Sequence, residues 1–405
     1  MTLELIENIL DLNRSTVKSV KIENREIHVE LEMDNFPVCP QCEQVYIEAP
    51  KDRRIQVVED LSICGKRVFL YIEKRRIDCS CGYSGTEYIE WLDPYQRSTN
   101  RFRNWIYTFC KRMTCIDVAK TFGISKYLVY QLDKEGIRRE LAEQESIDPK
   151  QIGVDEISRK KGHRYASIIS AVQERKILEV VKERKSTDLE PFFKEKGTDW
   201  CNNIQIATMD AWLGFRKVVR KYCKNARIAF DHFHLVQHFS KAIDAVRIQE
   251  AKRASKNQKD VYRGTRWLLL KNPENLKDDQ KLTLERLLNL NKKLLTMYLL
   301  RERFREIFRG PTSRSRCVRL TIWIREAKSA KIGPLTEFAA KIERWKPFIV
   351  NALEHNYSNA FAEGLNNKIR VIQRMAYGYK DFEYLRLKIF QQFNFRDIRS
   401  VYDCL

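Results

Sequence analysis

The sequence predicts an α+β multidomain chain: a small cysteine-bearing N-terminal unit, a helix-turn-helix, and an α/β domain interrupted by an all-helical insertion. Three observations carry this expectation. Strand-like runs frame two pairs of cysteines before residue 90, strand and helix patterns alternate from Gln151 onward, and residues 235–350 are almost wholly helical in pattern. A chain of 405 residues accommodates several domains at roughly 100–200 residues each.

The first unit spans residues 1–90. Ile27–Met33 (IHVELEM) alternates as a strand, Pro37–Cys42 is a turn, and Lys66–Ile77 (KRVFLYIEKRRI) is a second alternating run that ends just before Cys79. Cys39-x-x-Cys42 and Cys79-x-Cys81 therefore sit at strand ends and supply four soft ligands for one tetrahedral Zn²⁺. Four thiolates leave no open position, so the zinc is structural. The second pair is one residue tighter than the usual knuckle, and four idle thiols are the alternative. The chain holds 11 cysteines, an odd number, and the scattered ones read as buried thiols rather than a disulfide framework.

Residues 91–148 form the next unit, helical and basic over 97–145. Ile116, Val118, Ala119, Phe122, Ile124, Leu128 and Val129 suit two short helices around a turn at Gly123–Ser125, with Ser125 as N-cap of the second. Such a helix-turn-helix would present Lys126, Tyr127, Tyr130 and Gln131 to a DNA major groove; an ordinary helical hairpin is the alternative. In 149–238, QIGVDEI, RYASIISAV and KILEVVKE read as three successive strands. The helix STDLEPFFKEKG follows, then the strand IQIATMD, the helix AWLGFRKVVRKYC and the strand ARIAFDHF. Residues 239–350 form the helical insertion, and 351–405 contribute helices over 356–375 and 381–393. Trp267, flanked by leucines, reads as a core residue of the insertion, with stacking on a DNA base as the alternative.

The 75 lysines and arginines against 54 acids give a net charge of +21, which favours polyanionic partners, nucleic acid first. No apolar run approaches the roughly 20 residues of a membrane span. The start MTLELIENILDLNRS has neither the basic opening nor the apolar core of a signal peptide. A cytoplasmic protein without membrane partners is expected.

Three acids stand out. Asp155 lies on the first strand among Ile152, Val154 and Ile157, where an aspartate is costly unless it binds something. Asp210 ends the strand IQIATM, and strand C-termini are where α/β sheets place their sites. Glu363 shares one helical face with Asn359, Asn366, Arg370 and Arg374, opposite Phe361, Leu365, Ile369 and Ile372. Each acid taken alone could be an ordinary solvated side chain. His232, His234 and His238 suggest either a second metal or structural hydrogen bonding.

Taken together, VDE at 154–156, ATMDAWLGF at 207–215, DHFH at 231–234 and SNAFAEGLNNKIRVIQRMAYGY at 358–379 resemble the DDE transposases of bacterial insertion sequences, the ISL3 family. The resemblance covers essentially the whole chain. It implies a zinc ribbon, a helix-turn-helix and an RNase H-like catalytic core broken by the helical insertion. It also implies Asp155, Asp210 and Glu363 as the catalytic triad holding two Mg²⁺ or Mn²⁺ ions, with Asp155 bridging them. Asp231-x-x-His234 resembles a supporting signature of such enzymes. The implied substrate is double-stranded DNA, element ends and target alike, handled by a homodimer or higher oligomer that joins the nucleoid when bound to DNA. Cys79-x-Cys81 is the departure from the pattern. An inactive DNA-binding regulator and a nuclease that cuts without joining are the rival readings.

Overall fold

The computed structural model describes residues 3–160, 164–256, 258–354 and 360–395. The chain forms two compact units, residues 1–144 with 390–405, and residues 145–389.

In the first unit, α1 (Leu3–Leu10) precedes β1 (Ser15–Glu23), β2 (Glu26–Met33), β3 (Asp52–Ile63), β4 (Lys66–Asp78) and β5 (Ser84–Thr86). They form one sheet in the order β1-β2-β4-β3, with β5 pairing β4. β2 and β4 run parallel, and the other pairs are antiparallel. The alternation of β2 and β4 is matched by burial. Ile27, Val29 and Leu31 on one strand, and Val68, Leu70 and Ile72 on the other, join Ile6 and Leu10 of α1 in one core. The sequence pattern did not single out β3, because Val58 is the one fully buried apolar side chain among its twelve residues. The carboxylate of Asp60, buried on the same strand, accepts from Thr99 Oγ1 at 2.6 Å and pairs with Arg101.

Three helices follow: α2 (Asn100–Cys110), α3 (Cys115–Phe122) and α4 (Lys126–Glu143). Thr114 caps α3 through Asp117 N, Gly123 ends it in the left-handed conformation, and Ser125 caps α4 through Tyr127 N. This is the helix-turn-helix the sequence predicts. Within α4, Gly136 faces the Tyr107 ring so closely that a Cβ would stand 2.4 Å from Tyr107 Cγ. A bare backbone is what permits this approach.

The second unit opens with β6 (Gln151–Lys160), β7 (Arg164–Ala171), β8 (Lys176–Val181), α5 (Ser186–Asn203), β9 (Ile206–Met209), α6 (Leu213–Tyr222) and β10 (Arg227–Phe230). The sheet order is β10-β9-β6-β7-β8. β6, β9 and β10 are parallel, and the β6-β7-β8 meander is antiparallel, which is the mixed sheet predicted. Leu189 and Phe193 of α5, and Phe215 and Val218 of α6, pack with Ile152, Ala207 and Ile228 of the sheet.

From β10 the chain enters the helices α7 (His232–Arg253), α8 (Lys259–Tyr262), α9 (Arg266–Leu270), α10 (Asp278–Leu290), α11 (Lys292–Phe308), α12 (Ser313–Ser329) and α13 (Gly333–Glu354). Phe239, Phe304, Trp323 and Phe338 form the aromatic centre of their core. α13 also returns to the sheet: Asn351 Nδ2 donates to Ile228 O at 2.9 Å, and Phe348 stacks on Phe230 at 4.7 Å. Trp267 corrects the expectation of a core residue. It is 68% exposed, with the Arg266 guanidinium 5.2 Å from its ring centre, while Leu269 takes the buried position. A helix of five residues turns only one side inward.

α14 (Ala360–Met375) and α15 (Phe382–Asn394) close the chain. The last turn of α15 belongs to the first unit, where Gln391 Nε2 donates to the buried Asp133 Oδ1 at 2.7 Å and Gln392 Nε2 to Lys111 O at 2.7 Å. Among the described residues, no helix is long and apolar enough to cross a membrane.

Candidate active site

Strand register assembles the site. Parallel pairing places Val154 of β6, Met209 of β9 and Phe230 of β10 in one row. The next residue on each strand is an aspartate: Asp155, Asp210 and Asp231. Positions 55 and 21 residues apart in sequence thus become neighbours because three parallel strands reach the same level together. β9 and β10 end there, leaving the carboxylates at the C-terminal edge of the parallel layer.

Asp155 is 7% exposed. Its Oδ1 accepts from Glu156 N at 2.7 Å and its Oδ2 from Asn366 Nδ2 at 2.7 Å. Asp231 is the N-cap of α7, accepting from Phe233 N at 3.1 Å, and so starts that helix at the aspartate row. One turn on, His234 Nε2 lies 3.5 Å from Asp155 Oδ1 and 3.8 Å from Asp231 Oδ2. Burial alone would lower the His234 pKa. The bond to Asp155 and the charges of Asp210, Asp155 and Asp231 outweigh it and raise the value to about 9. His234 thus faces three carboxylates. Of the other two histidines, His232 lies against the Phe308 ring with its Nδ1 3.6 Å from Asp231 Oδ1, and His238 packs on Trp345.

α14 runs beside β6, held by the Asn366 bond to Asp155 and by Gln373 Nε2 donating to Ser158 O at 3.3 Å. Leu365, Ile369 and Ile372 of its predicted apolar side are buried, the side chain of Phe361 lies outside the described residues, and Arg370 and Arg374 are exposed. Glu363 falls within α14, but its side chain lies outside the described residues, as does Asn359 altogether. Asn366 Oδ1 is buried without a hydrogen-bond partner among the described residues. An amide oxygen left unmatched next to a cluster of carboxylates is a donor set suited to a hard cation.

Sequence reasoning missed Arg184. Its guanidinium lies between the rings of Tyr165, 4.5 Å away, and Trp212, 4.3 Å away, and donates to Glu156 Oε2 at 2.9 Å. Trp212 Nε1 returns a bond to Arg184 O at 3.3 Å, bracing the segment that follows Asp210. Within the charged run KERKS nothing distinguishes this arginine, because its partners lie 19 to 28 positions away.

In the first unit, Cys39, Cys42, Cys79 and Cys81 bring their sulfurs within 4.8 Å of one another. The Cys39–Cys81 and Cys42–Cys79 separations are 3.6 and 3.7 Å. Tetrahedral zinc with bonds of about 2.3 Å needs sulfurs about 3.8 Å apart, so the four fit. The short second pair reaches because Gly82, at φ +94°, turns the chain immediately after Cys81. Burial pushes the Cys39 thiol up, but the Cys42 and Gln41 amides outweigh it and hold it at about 7. The Tyr83 amide draws the Cys81 thiol down, yet burial and the thiols of Cys79, Cys39 and Cys42 carry it up to about 12. Four thiolates at this spacing coexist only around a cation.

On α4, Lys126, Tyr127 and Gln131 are exposed and Tyr130 is half-buried, while Val129, Leu132 and Ile137 face inward.

Residues 152–389 match a family model of the ISL3 type described as a transposase, and residues 36–81 match one described as the zinc-finger of transposase IS204/IS1001/IS1096/IS1165. The chain is 30% identical over 353 residues to a transposase for insertion sequence element IS1001 from Bordetella parapertussis, covering 86% of each chain. It is 25% identical over 345 residues to a transposase for insertion sequence element IS1557 from Mycobacterium tuberculosis, covering 77% of this chain and 76% of that one.

Proposed function

We propose a mechanism for this chain, which belongs to the ISL3 family of DDE transposases of insertion sequences and is an enzyme of DNA strand cleavage and transfer. Its catalytic triad is Asp155, Asp210 and Glu363. The observation that carries this reading is the shared level of Asp155, Asp210 and Asp231, one residue past the row Val154–Met209–Phe230. Glu363 lies three residues before Asn366 in α14, a spacing that shares a helix face, and Asn366 donates to Asp155.

Adjacent strands are about 4.8 Å apart, so these acids are spaced to share ions rather than to cage one. Two Mg²⁺ or Mn²⁺ ions held there would neutralise the scissile phosphate and activate a water or a DNA 3′-hydroxyl. Asp155, on the central strand, would be a ligand to these ions. Asn366 and His234 fix its carboxylate from two sides, and Asp231 fixes His234 by starting α7. Arg370 and Arg374 are offered to DNA phosphates.

The RNase H-like core comprises residues 149–238 and 351–389 around the 239–350 insertion, the last turn of α15 belonging to the first unit. Residues 1–90, whose cysteine knuckle holds one Zn²⁺, and the helix-turn-helix of 91–148 recognise the element's ends, with Lys126, Tyr127, Tyr130 and Gln131 at the major groove. The enzyme acts in the cytoplasm, on the nucleoid, as a homodimer or higher oligomer on paired ends.

The test is cleavage and joining of labelled end DNA in Mg²⁺, alongside a gel shift. Asp155→Ala, Asp210→Ala and Glu363→Ala should each lose both reactions by at least about a thousandfold while the shift persists. An Asp210→Ala protein that cuts at the normal rate ends the assignment. Cutting without joining by the parent chain would instead identify a nuclease.

A further inference from the structure

The face of α7 that begins at the aspartate row continues as one wall of a basic groove. His234, His238, Lys241, Ala245 and Gln249 recur at spacings of three or four residues, so they share a side of the helix over about 22 Å at 1.5 Å per residue. The opposite lip is the turn at Lys331 and the first turns of α13, and the space between is about 660 Å³. Val246, Ile332 and Phe338 form its apolar floor.

Five cations line this groove, Lys241, Arg253, Lys293, Lys331 and Lys341, against two carboxylates. One of those, Glu250, is already matched by Lys293 at 2.9 Å and Arg253 at 3.2 Å. Lys241, Lys331 and Lys341 are exposed and form no ion pair among the described residues. Against these three ammonium groups the groove sets one further carboxylate, Glu337, which forms no ion pair among the described residues, so a surplus of positive charge faces the cleft. The positive end of α13 opens on the same space through Gly333 and Pro334.

The cations are strung out rather than convergent. From Lys241 to Arg253 they span about 18 Å of α7, the length of several successive backbone phosphates rather than one. A single phosphate would leave most of them idle. One helix, α7, starts at the catalytic row and lines the groove from His238 onward. His238, at its near end, is held below its ordinary pKa first by burial and then by Lys241 and Lys341, while Asp210 pulls the other way. One imidazole therefore feels both the groove's lysines and a catalytic carboxylate.

We propose that this groove is a track for the phosphate backbone of one DNA strand, delivering it to the carboxylate row. The inference rests on the reading of that row as the active site. The experiment uses the full-length zinc-loaded chain and end DNA. The variant is Lys241→Gln/Lys331→Gln/Lys341→Gln. A control, Lys194→Gln/Lys217→Gln/Lys224→Gln, removes equal charge from exposed positions outside the groove. The groove variant should lower the slope of log affinity against log salt by about three, one per lost phosphate contact. It should also raise the DNA concentration for half-maximal cleavage at least about tenfold while the saturated rate stays within about twofold. The corresponding triple Lys→Arg variant should behave as the parent. A groove variant with the parent's slope, or one no different from the control, overturns the proposal. Asp155→Ala run in parallel separates the two readings: if it still cuts, the active-site assignment fails, whereas a dead Asp155→Ala beside an unaltered groove variant removes the groove alone.

Discussion

Asn366 meets Asp155 with one atom and leaves the other unmatched. Its Nδ2 donates to the carboxylate at 2.7 Å, while its buried Oδ1 has no partner among the described residues. An orphaned buried acceptor costs about 1–3 kcal/mol, so its persistence beside the acids points to a bound cation or to its ordered water. Residues that orient a metal ligand typically carry a 10–100-fold effect when removed. Asn366→Ala should therefore lower end cleavage by about 10–100-fold and raise the Mg²⁺ concentration needed for half-maximal rate, with the gel shift unchanged. Cleavage against Mg²⁺ concentration measures this, and a parent-like Mg²⁺ curve would count against Asn366 as a positioning residue.

At the scale of elements, two local devices can be tested. Gly136 sits in the middle of α4, where helix propensity alone favours alanine by about 1 kcal/mol. The Tyr107 ring stands where the new Cβ would go, 2.4 Å away, and overpacking a core costs about 1–3 kcal/mol. A ring held this close puts the packing cost toward the upper end and outweighs propensity, so Gly136→Ala should destabilise the chain in urea titration by up to about 2 kcal/mol. A stabilised variant would show that the ring moves freely aside. The second device is the cysteine cluster. The purified protein should hold one zinc per chain by elemental analysis, and Cys42→Ser should hold none. Tyr46 and Ile77 pack only against the knuckle cysteines and Tyr83 in their cluster, whereas the core of β2 and β4 is built on α1. Chelation should thus open 37–48 to protease while the sheet's circular dichroism survives, and protection of that segment without zinc would refute a structural metal.

For the whole molecule the governing quantity is charge. With +21 spread over the chain, binding to DNA of any sequence should fall steeply with salt. Preference for the element's ends must then come from base contacts. Lys126, exposed at the first turn of α4, is placed to touch phosphate there. Lys126→Ala in the full chain should reduce the salt slope by about one and weaken end and random DNA alike. A selective loss of end DNA would place Lys126 on a base instead.

The sequence by itself determined the kinds of element and the identities of the chemical groups. Periodicity specifies β2, β4, the helix-turn-helix and the order of strands and helices from Gln151, because alternation and helical spacing are local properties. Cysteine spacing marks the four thiols that cluster for the same reason. β3 escaped notice because only Val58 among its apolar side chains is fully buried, and Trp267 was misplaced because a five-residue helix has too little periodicity to show which side faces in. Only the tertiary structure decided what stands beside what. The common level of Asp155, Asp210 and Asp231 follows from the register of three parallel strands, which no window of sequence contains. The same holds for Asn366 against Asp155, 211 positions away, for Arg184 between two distant rings, and for the lysines of α7 and α13 across one groove. Long-range pairing depends on how buried faces fit together, and that information is spread over the whole chain.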